Sequence, residues 1–354
     1  MSIHLFKHNQ QAYRAVTAML EKEKMAAVIH PTGTGKSLIA FKLAEENPSK
    51  HFLWLSPSEY IYQTQLEKLN MKFPNIQFMS YSRLMKNEDS IETLHLDYII
   101  LDEFHRCGAQ EWGRSVRKLL DTYPNAKRLG LSATNIRYLD NQRNMAEEIF
   151  DGKIASEMTL GEAIVREILP EPKYVIAMYS YQKELEQLKK RIRTLSNQGL
   201  ITENQKLLEQ LRRALEHADG LELVFKKHMT KKNGKYIIFC SDKEHMDEMK
   251  EQVSTWFRQV DPSPHVYTAF YSDAATGREF TAFKKDDSKH LKLLFCIDML
   301  NEGIHVDDVD GVILLRPTVS PIIYLQQIGR ALSAGSEKTP LIFDLVNNFD
   351  SLYC

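Results

Sequence analysis

An α/β protein of two tandem domains, each built on its own parallel sheet, is what the sequence predicts, and three observations predict it. A chain of 354 residues exceeds what one hydrophobic core comfortably supports and suits two domains. Apolar, β-branched runs recur with helical stretches between them, the pattern of βα units on a sheet covered on both faces. With 43% hydrophobic and 26% charged residues, the chain has the composition of a globular protein able to form packed cores.

The strands are expected first at Ala26–Ile29, Phe52–Leu55, Ile76–Met79, Tyr98–Leu101 and Leu129–Leu131. A second set falls at Tyr236–Cys240, Val266–Phe270, Leu293–Ile297, Val312–Leu315 and Leu341–Leu345, so each half supplies a sheet. Leu169-Pro170-Glu171-Pro172 marks the boundary, because two prolines at that spacing stop a helix and stiffen the connection. Residues 1–168 are therefore expected as the first lobe and 169–354 as the second. Within the second, residues 181–230 form a long polar insertion. There Leu185, Leu188, Ile192 and Leu195 repeat at alternating steps of three and four, as do Leu208, Leu211 and Leu215, with Ser196–Gly199 between as a turn. A helical hairpin is the simplest fold for it. Its Lys183, Lys189, Lys190, Arg191, Arg193, Arg212 and Arg213 either touch a phosphate backbone or form a solvated face.

The bulk charge excludes little. A formal net charge of −1 carries no global basic signature, so a nucleic-acid partner has to be argued from local features. The start lacks the basic and apolar zones of a secretory signal, and no apolar run approaches bilayer-spanning length. A cytoplasmic protein without a membrane partner is expected. Cys107, Cys240, Cys296 and Cys354 are scattered with no CxxC pair, so no zinc ribbon or disulfide framework is indicated and the first three read as buried thiols.

Two local patterns carry chemistry. His30-Pro31-Thr32-Gly33-Thr34-Gly35-Lys36-Ser37 follows an apolar strand and opens into a helical pattern. Glycines there let backbone N–H groups curl around phosphate oxygens, Lys36 supplies a cation to the β- and γ-phosphates, and the Ser37 hydroxyl ligates magnesium. The second pattern is Tyr98-Ile99-Ile100-Leu101-Asp102-Glu103-Phe104-His105, a strand that delivers two adjacent carboxylates at its end. Asp102 suits a magnesium ion held through water, and Glu103 suits the polarisation of a water attacking the γ-phosphate.

With Ser132-Ala133-Thr134 downstream, these residues make the chain resemble a superfamily 2 helicase of the DExH type. It is especially similar to the motor cores of type I and type III restriction enzymes and of excision-repair helicases, over about His8 to Asn348. The resemblance implies two tandem RecA-like domains that hydrolyse ATP with Mg2+ between them. It makes Thr32, Gly33, Thr34, Gly35, Lys36 and Ser37 the nucleotide loop. Asp102, Glu103 and His105 become catalytic residues, and Ser132 and Thr134 the link between nucleotide state and bound strand. It places Ser56, Pro57 and Gln63 in one backbone-contacting motif and Tyr81 and Ser82 in another, gripping phosphates without reading sequence. In the second lobe it assigns Gly303 to the nucleotide. Gln326 and Arg330 are assigned to the γ-phosphate, Arg330 as the arginine finger.

Departures from the family pattern are specific. Asn9 stands where an adenine-reading glutamine is usual, and an amide still matches adenine's donor–acceptor edge. Ser333 replaces a second arginine, a loss that Arg316 or a partner protein would have to make good, and His305 replaces an acid. The expected function is an ATP-dependent nucleic-acid helicase or translocase, with DNA favoured over RNA and a nuclease or other effector subunit as a further partner. The alternative is an ATP-switched nucleic-acid-binding subunit without productive unwinding.

Overall fold

In the computed structural model the structure describes residues 2–57, 66, 69–108, 110–137, 143–176, 221–270, 276–297, 308–316, 318, 321–336, 338–346 and 348. The chain divides into two compact units, the first built on residues up to Pro170 and the second mainly on Glu171 onward.

The first unit begins with α1 (Lys7–Glu23), β1 (Met25–Ile29), α2 (Ser37–Glu46), β2 (Phe52–Ser56), β3 (Ile76–Ser80) and α3 (Tyr81–Lys86). It continues with β4 (Tyr98–Asp102), α4 (Gln110–Thr122), β5 (Lys127–Ser132), the short ribbon β6 (Ile136–Arg137) and β7 (Arg143–Asn144), α5 (Met145–Phe150), β8 (Ile154–Glu157) and α6 (Leu160–Val165). Its main sheet has the order β3-β2-β4-β5-β1-β8, every pair parallel.

Both faces of that sheet are covered, which is why β1, β2 and β4 read as unbroken apolar runs. On one face α1 buries Ala12, Val16 and Leu20 at one-turn spacing, beside Ile39, Phe41 and Leu43 of α2. On the other, α4 buries Val116, Leu119 and Leu120 with Phe150 of α5. Fully burying each such side chain stabilises the fold by about 1.5–3 kcal/mol before chain entropy is counted.

The second unit contains β9 (Lys173–Ile176), α7 (Leu221–His228), β10 (Lys235–Cys240), α8 (Lys243–Glu251), α9 (Val253–Trp256), β11 (His265–Phe270), α10 (Thr276–Lys285), β12 (Lys292–Ile297), β13 (Gly311–Leu314), α11 (Pro321–Gly329) and β14 (Leu341–Asp344). Its sheet has the order β11-β12-β10-β13-β14-β9, again all parallel.

Each sheet has one strand beyond the five expected runs. Both extra strands, β8 and β9, sit at an edge and have four residues, some polar or exposed, so neither produced an apolar run. Most of the expected helical hairpin, residues 181–220, lies outside the described residues. The last part of that span is α7, whose Leu221 and Phe225, followed by Met229, belong to the second unit's core. Phe225 stacks on Phe257 at 4.5 Å between ring centroids and meets Phe343 edge-on at 5.1 Å. Cys107, Cys240 and Cys296 are buried thiols, without a disulfide among the described residues. Among the described residues no helix is long and apolar enough to cross a membrane.

Candidate active site

Strand register assembles the first unit's polar centre. β1 pairs Ile29 with Ser132, and β4 pairs Asp102 with Leu131, so the ends of β1, β4 and β5 finish level with one another. The loop after β1, the carboxylates after β4 and the hydroxyl closing β5 thereby share one edge of the sheet.

The loop after β1 turns through Gly33 and Gly35, whose φ values of 87° and 75° lie in the left-handed region that side-chain-bearing residues avoid. Thr34 steadies the turn, its hydroxyl donating to the Pro31 carbonyl at 2.8 Å. Lys36 caps α2 and is buried at 7% exposure, its ammonium 3.7 Å from Glu103. The first turn of a helix directs its backbone N–H groups outward, so loop and helix together have the form of an anion-binding turn.

From behind, α1 holds this loop. The Asn9 side-chain amide donates to the carbonyls of Thr34 at 2.8 Å and Gly35 at 3.1 Å, and His8 bonds the Thr34 carbonyl through Nε2 at 2.8 Å. Asn9 is fully buried and its Oδ1 has no hydrogen-bond partner among the described residues. A Cβ on Gly35 would lie 3.2 Å from the Asn9 amide nitrogen, so the bare glycine lets loop and helix approach. Beneath the loop His30 bonds the Ser156 hydroxyl at 2.8 Å, and burial pushes its imidazole down to about 3.

Asp102 is buried at the end of β4, and burial together with the neighbouring Glu103 carboxylate pushes its pKa up. Glu103 follows with φ 52°, an uncommon backbone for a residue with a side chain. That turn places its carboxylate between two partners, with Oε1 at Lys36 and Oε2 3.4 Å from His105 Nδ1. His105 Nδ1 bonds the Ser132 hydroxyl at 2.8 Å, and Ser132 Oγ accepts from the Thr134 N–H at 3.2 Å. Tyr81 reaches the same centre, its hydroxyl donating to the Asp102 carbonyl at 2.8 Å. Lys36, Glu103, His105, Ser132 and Thr134 form one connected polar chain.

Ser56 and Pro57 are buried at the end of β2, and Ser82 is half-buried in the first turn of α3. Thr32 and Ser37 are half-buried in and just after the loop. In the second unit α11 carries Gln326, half-buried, and just beyond its end lies Arg330, at 8% exposure. Gln63 and Gly303 lie outside the described residues, as does His305. The Ser37 hydroxyl and the Asp102 carboxylate are hard oxygen donors of the kind magnesium takes. A buried carboxylate held above its ordinary pKa is one that a divalent cation would restore to its charged form.

Three groups here carried no sequence signal as site residues. His8 had only its adjacency to Asn9, and Ser156 lay on an unrecognised strand. In the second unit the Tyr174 hydroxyl donates to Asp344 Oδ2 at 2.6 Å and bonds the Tyr324 hydroxyl of α11. Burial, with the Asp344 carboxylate behind it, pushes the Tyr174 phenol well above its ordinary range. An apolar run ending in an acid, Leu341-Ile342-Phe343-Asp344, was the one available hint.

Comparison with known proteins meets this geometry. Residues 2–75 and 64–137 match the family model for the type III restriction enzyme res subunit, and residues 219–335 match the helicase conserved C-terminal domain. The chain is a superfamily 2 helicase-like core of two tandem RecA-like α/β domains. Among solved structures it is similar to a fragment described as an HsdR subunit of a type I restriction enzyme from Vibrio vulnificus YJ016. The identity is 19%, the TM-score 0.65, and the match covers 98% of this chain and 65% of that one. It is also similar to the ATP-dependent type ISP restriction-modification enzyme LlaBIII, solved bound to DNA, at 17% identity and a TM-score of 0.61, covering 97% of this chain and 28% of that one. Among curated proteins a 51.5 kDa protein of Lactococcus phage (isolate 7-9) is 22% identical over 333 residues, covering 90% of this chain. The chain spans 65% of that phage protein's length.

Proposed function

We propose that the chain is an ATP-dependent nucleic-acid translocase or helicase, with DNA as the favoured track. The single observation that carries this reading is the polar chain from Lys36 through Glu103 and His105 to Ser132 and Thr134. It joins a phosphate-binding cation to a base and then to a downstream hydroxyl pair.

The loop from Thr32 to Ser37 takes the triphosphate of ATP, its N–H groups and the Lys36 ammonium neutralising the terminal oxygens. Ser37 and Asp102 would hold a magnesium ion, which would supply positive charge to the phosphate oxygens. Glu103 orients a water against the γ-phosphorus and accepts its proton as the phosphorus–oxygen bond to ADP breaks. His105, sharing Glu103 and Ser132, is the route by which loss of the γ-phosphate is felt at Thr134 and at the strand grip, where half-buried Ser82 meets the strand and Ser56, Pro57 and Tyr81, expected from the sequence to touch it, are buried and support it from behind. Asn9, fully buried and with its two donor bonds on the loop backbone, shapes the nucleotide cradle from beneath and acts on the nucleotide through the loop, not by the direct adenine contact expected from the sequence. The family resemblance assigns Gln326 and Arg330 of the second lobe to the γ-phosphate, with Arg330 as the cation for transition-state charge. The assignments of Gln63 and Gly303 belong to the same reading, as do residues 1–168 and 169–354 as its two lobes. A nuclease or other effector subunit is its further partner. The restriction enzyme LlaBIII, bound to DNA, supports the choice of track.

Ser333 in place of a second arginine favours a slower chemical step and keeps one other reading in view, an ATP switch on a nucleic-acid-binding subunit. ATPase rates across single-stranded, double-stranded and forked DNA and RNA, beside a strand-displacement assay, separate the two. A motor gives stimulation with displacement, and a switch gives stimulation alone. Glu103→Gln and Lys36→Ala are expected to lower stimulated ATPase turnover at least a hundredfold, with the thermal unfolding transition retained. Wild-type turnover in either variant overturns the site.

A further inference from the structure

On the sheet face opposite α2, the first unit holds a hollow of about 650 Å3 between α4 and β7. Its shape follows from two glycines. A Cβ on Gly113 would lie 2.5 Å from the Cys107 carbonyl, so the first turn of α4 seats directly on the turn that follows Glu103. Gly108 and Gly113, without side chains, leave the space open.

The walls are cationic. Arg114, Arg117 and Lys118 stand at i, i+3 and i+4 on α4 and share one helix face. Arg143 closes the opposite side, its guanidinium donating to the Gly108 carbonyl at 2.9 Å. Two carboxylates accompany these four cations. Asp121 lies one turn beyond Arg117, and Glu148 is gripped by Arg143 through two hydrogen bonds and lies 3.9 Å from Arg117. The Arg143 hydrogen bond holds the Glu148 carboxyl below its ordinary range, so it stays charged and occupied on one side. Beside the hollow, Trp112 stacks on Tyr81 with ring centroids 5.6 Å apart, and the Arg106 guanidinium lies 5.3 Å over its ring.

We propose that this hollow binds the sugar–phosphate backbone of a nucleic acid, extending the track from half-buried Ser82 across Arg106 and Trp112 to Arg114, Arg117 and Lys118. Three cations clustered within one helical turn, with Arg143 across from them, match the closely spaced charges of a phosphate backbone better than one isolated anion. Arginine forks also suit the paired oxygens of backbone phosphates. The inference rests on the nucleic-acid reading above and adds a contact surface outside the family motifs.

Binding of a fluorescently labelled DNA duplex and of the matching single strand, measured by anisotropy across a salt series, tests it. Arg114→Ala combined with Arg117→Ala and Lys118→Ala is expected to reduce the slope of log affinity against log salt by about 3, roughly 1 per cation. The charge-preserving set Arg114→Lys, Arg117→Lys and Lys118→Arg is expected to keep the wild-type slope. Arg114→Ala alone, at an exposed position, is expected to reduce it by about 1 and serves if the triple variant loses its thermal transition. A wild-type slope in the alanine variants overturns the hollow as a binding site while leaving the motor reading intact. A wild-type protein that binds neither DNA, with an ATPase indifferent to both, overturns the motor reading and this inference together.

Discussion

The two units share one sheet design and use it differently. In the first, the ends of β1, β4 and β5 carry a chain of titratable groups, and the backbone there adopts left-handed conformations at Gly33, Gly35 and Glu103. In the second, the equivalent feature is a knot of two phenols and a carboxylate, in which half-buried Tyr174 of edge strand β9 ties buried Asp344 to buried Tyr324 of α11. One arrangement suits groups that exchange protons and charge. The other suits groups that hold a helix still, and α11 carries Gln326 with Arg330 following it. Under the proposed function, the contrast corresponds to chemistry in the first unit and the rigid presentation of a cation in the second.

The sharpest way to break that contrast is to cut the knot. Tyr174→Phe removes the hydroxyl shared by Tyr324 and Asp344 in a buried setting, which costs about 2 kcal/mol. For a unit of this size that corresponds to a fall of roughly 4–8 °C in its melting temperature. Ser132→Ala, which cuts the first unit's chain at a comparable place, is expected to change stability less and stimulated ATPase more. Differential scanning calorimetry beside turnover measurements checks both. If Tyr174→Phe leaves the melting temperature unchanged, the knot does not hold α11.

How much of this was legible in the sequence depends on distance along the chain. Strands covered on both faces had to be apolar throughout, so Ala26–Ile29 and Tyr98–Leu101 stood out, whereas Ile154–Glu157 and Lys173–Ile176 sit at edges and did not. Loop chemistry is equally local, and Gly33, Gly35, Lys36 and Ser37 declare themselves within a few residues. By contrast, the bond between Tyr174 and Asp344 spans 170 positions, and that between His105 and Ser132 depends on the register of β4 against β5. The hollow beside α4 needed both Gly113 packed on Cys107 and an arginine arriving from β7, which no spacing in the sequence announces.

Acid provides a smaller and more even test of the two units. His30 in the first is pushed down to about 3 and His245 in the second to about 4, each mainly by burial. Both imidazoles take up protons more readily in the unfolded chain, whose value is near 6.5, than in the folded one. Stability from this source is therefore complete above pH 6.5 and declines as pH falls toward 3 for His30 and 4 for His245. At pH 5.5 each is expected to cost about 1.4 kcal/mol. Melting temperatures recorded from pH 7.5 to 5.5 should fall for the wild type and fall less for His30→Gln. Parallel curves for the two proteins would mean that His30 is not held neutral under the loop.

The smallest effect probes whether Asp102 is a site waiting for a cation. With its folded pKa raised above the unfolded 3.8, the carboxylate contributes stability only in its protonated form, below 3.8, and loses it as pH rises through the folded value. Asp102→Asn removes a charge that is costly to bury, so without ligand the variant is expected to melt a few degrees higher than the wild type at pH 8, about 1 kcal/mol in stability. That advantage should shrink as the pH is lowered. Adding Mg2+ and a non-hydrolysable ATP analogue should reverse the ranking, because the wild type gains a cation at Asp102 and the amide cannot supply a charge. A variant that gains as much from magnesium and nucleotide as the wild type does would remove Asp102 from the metal site and leave its burial without a functional reason.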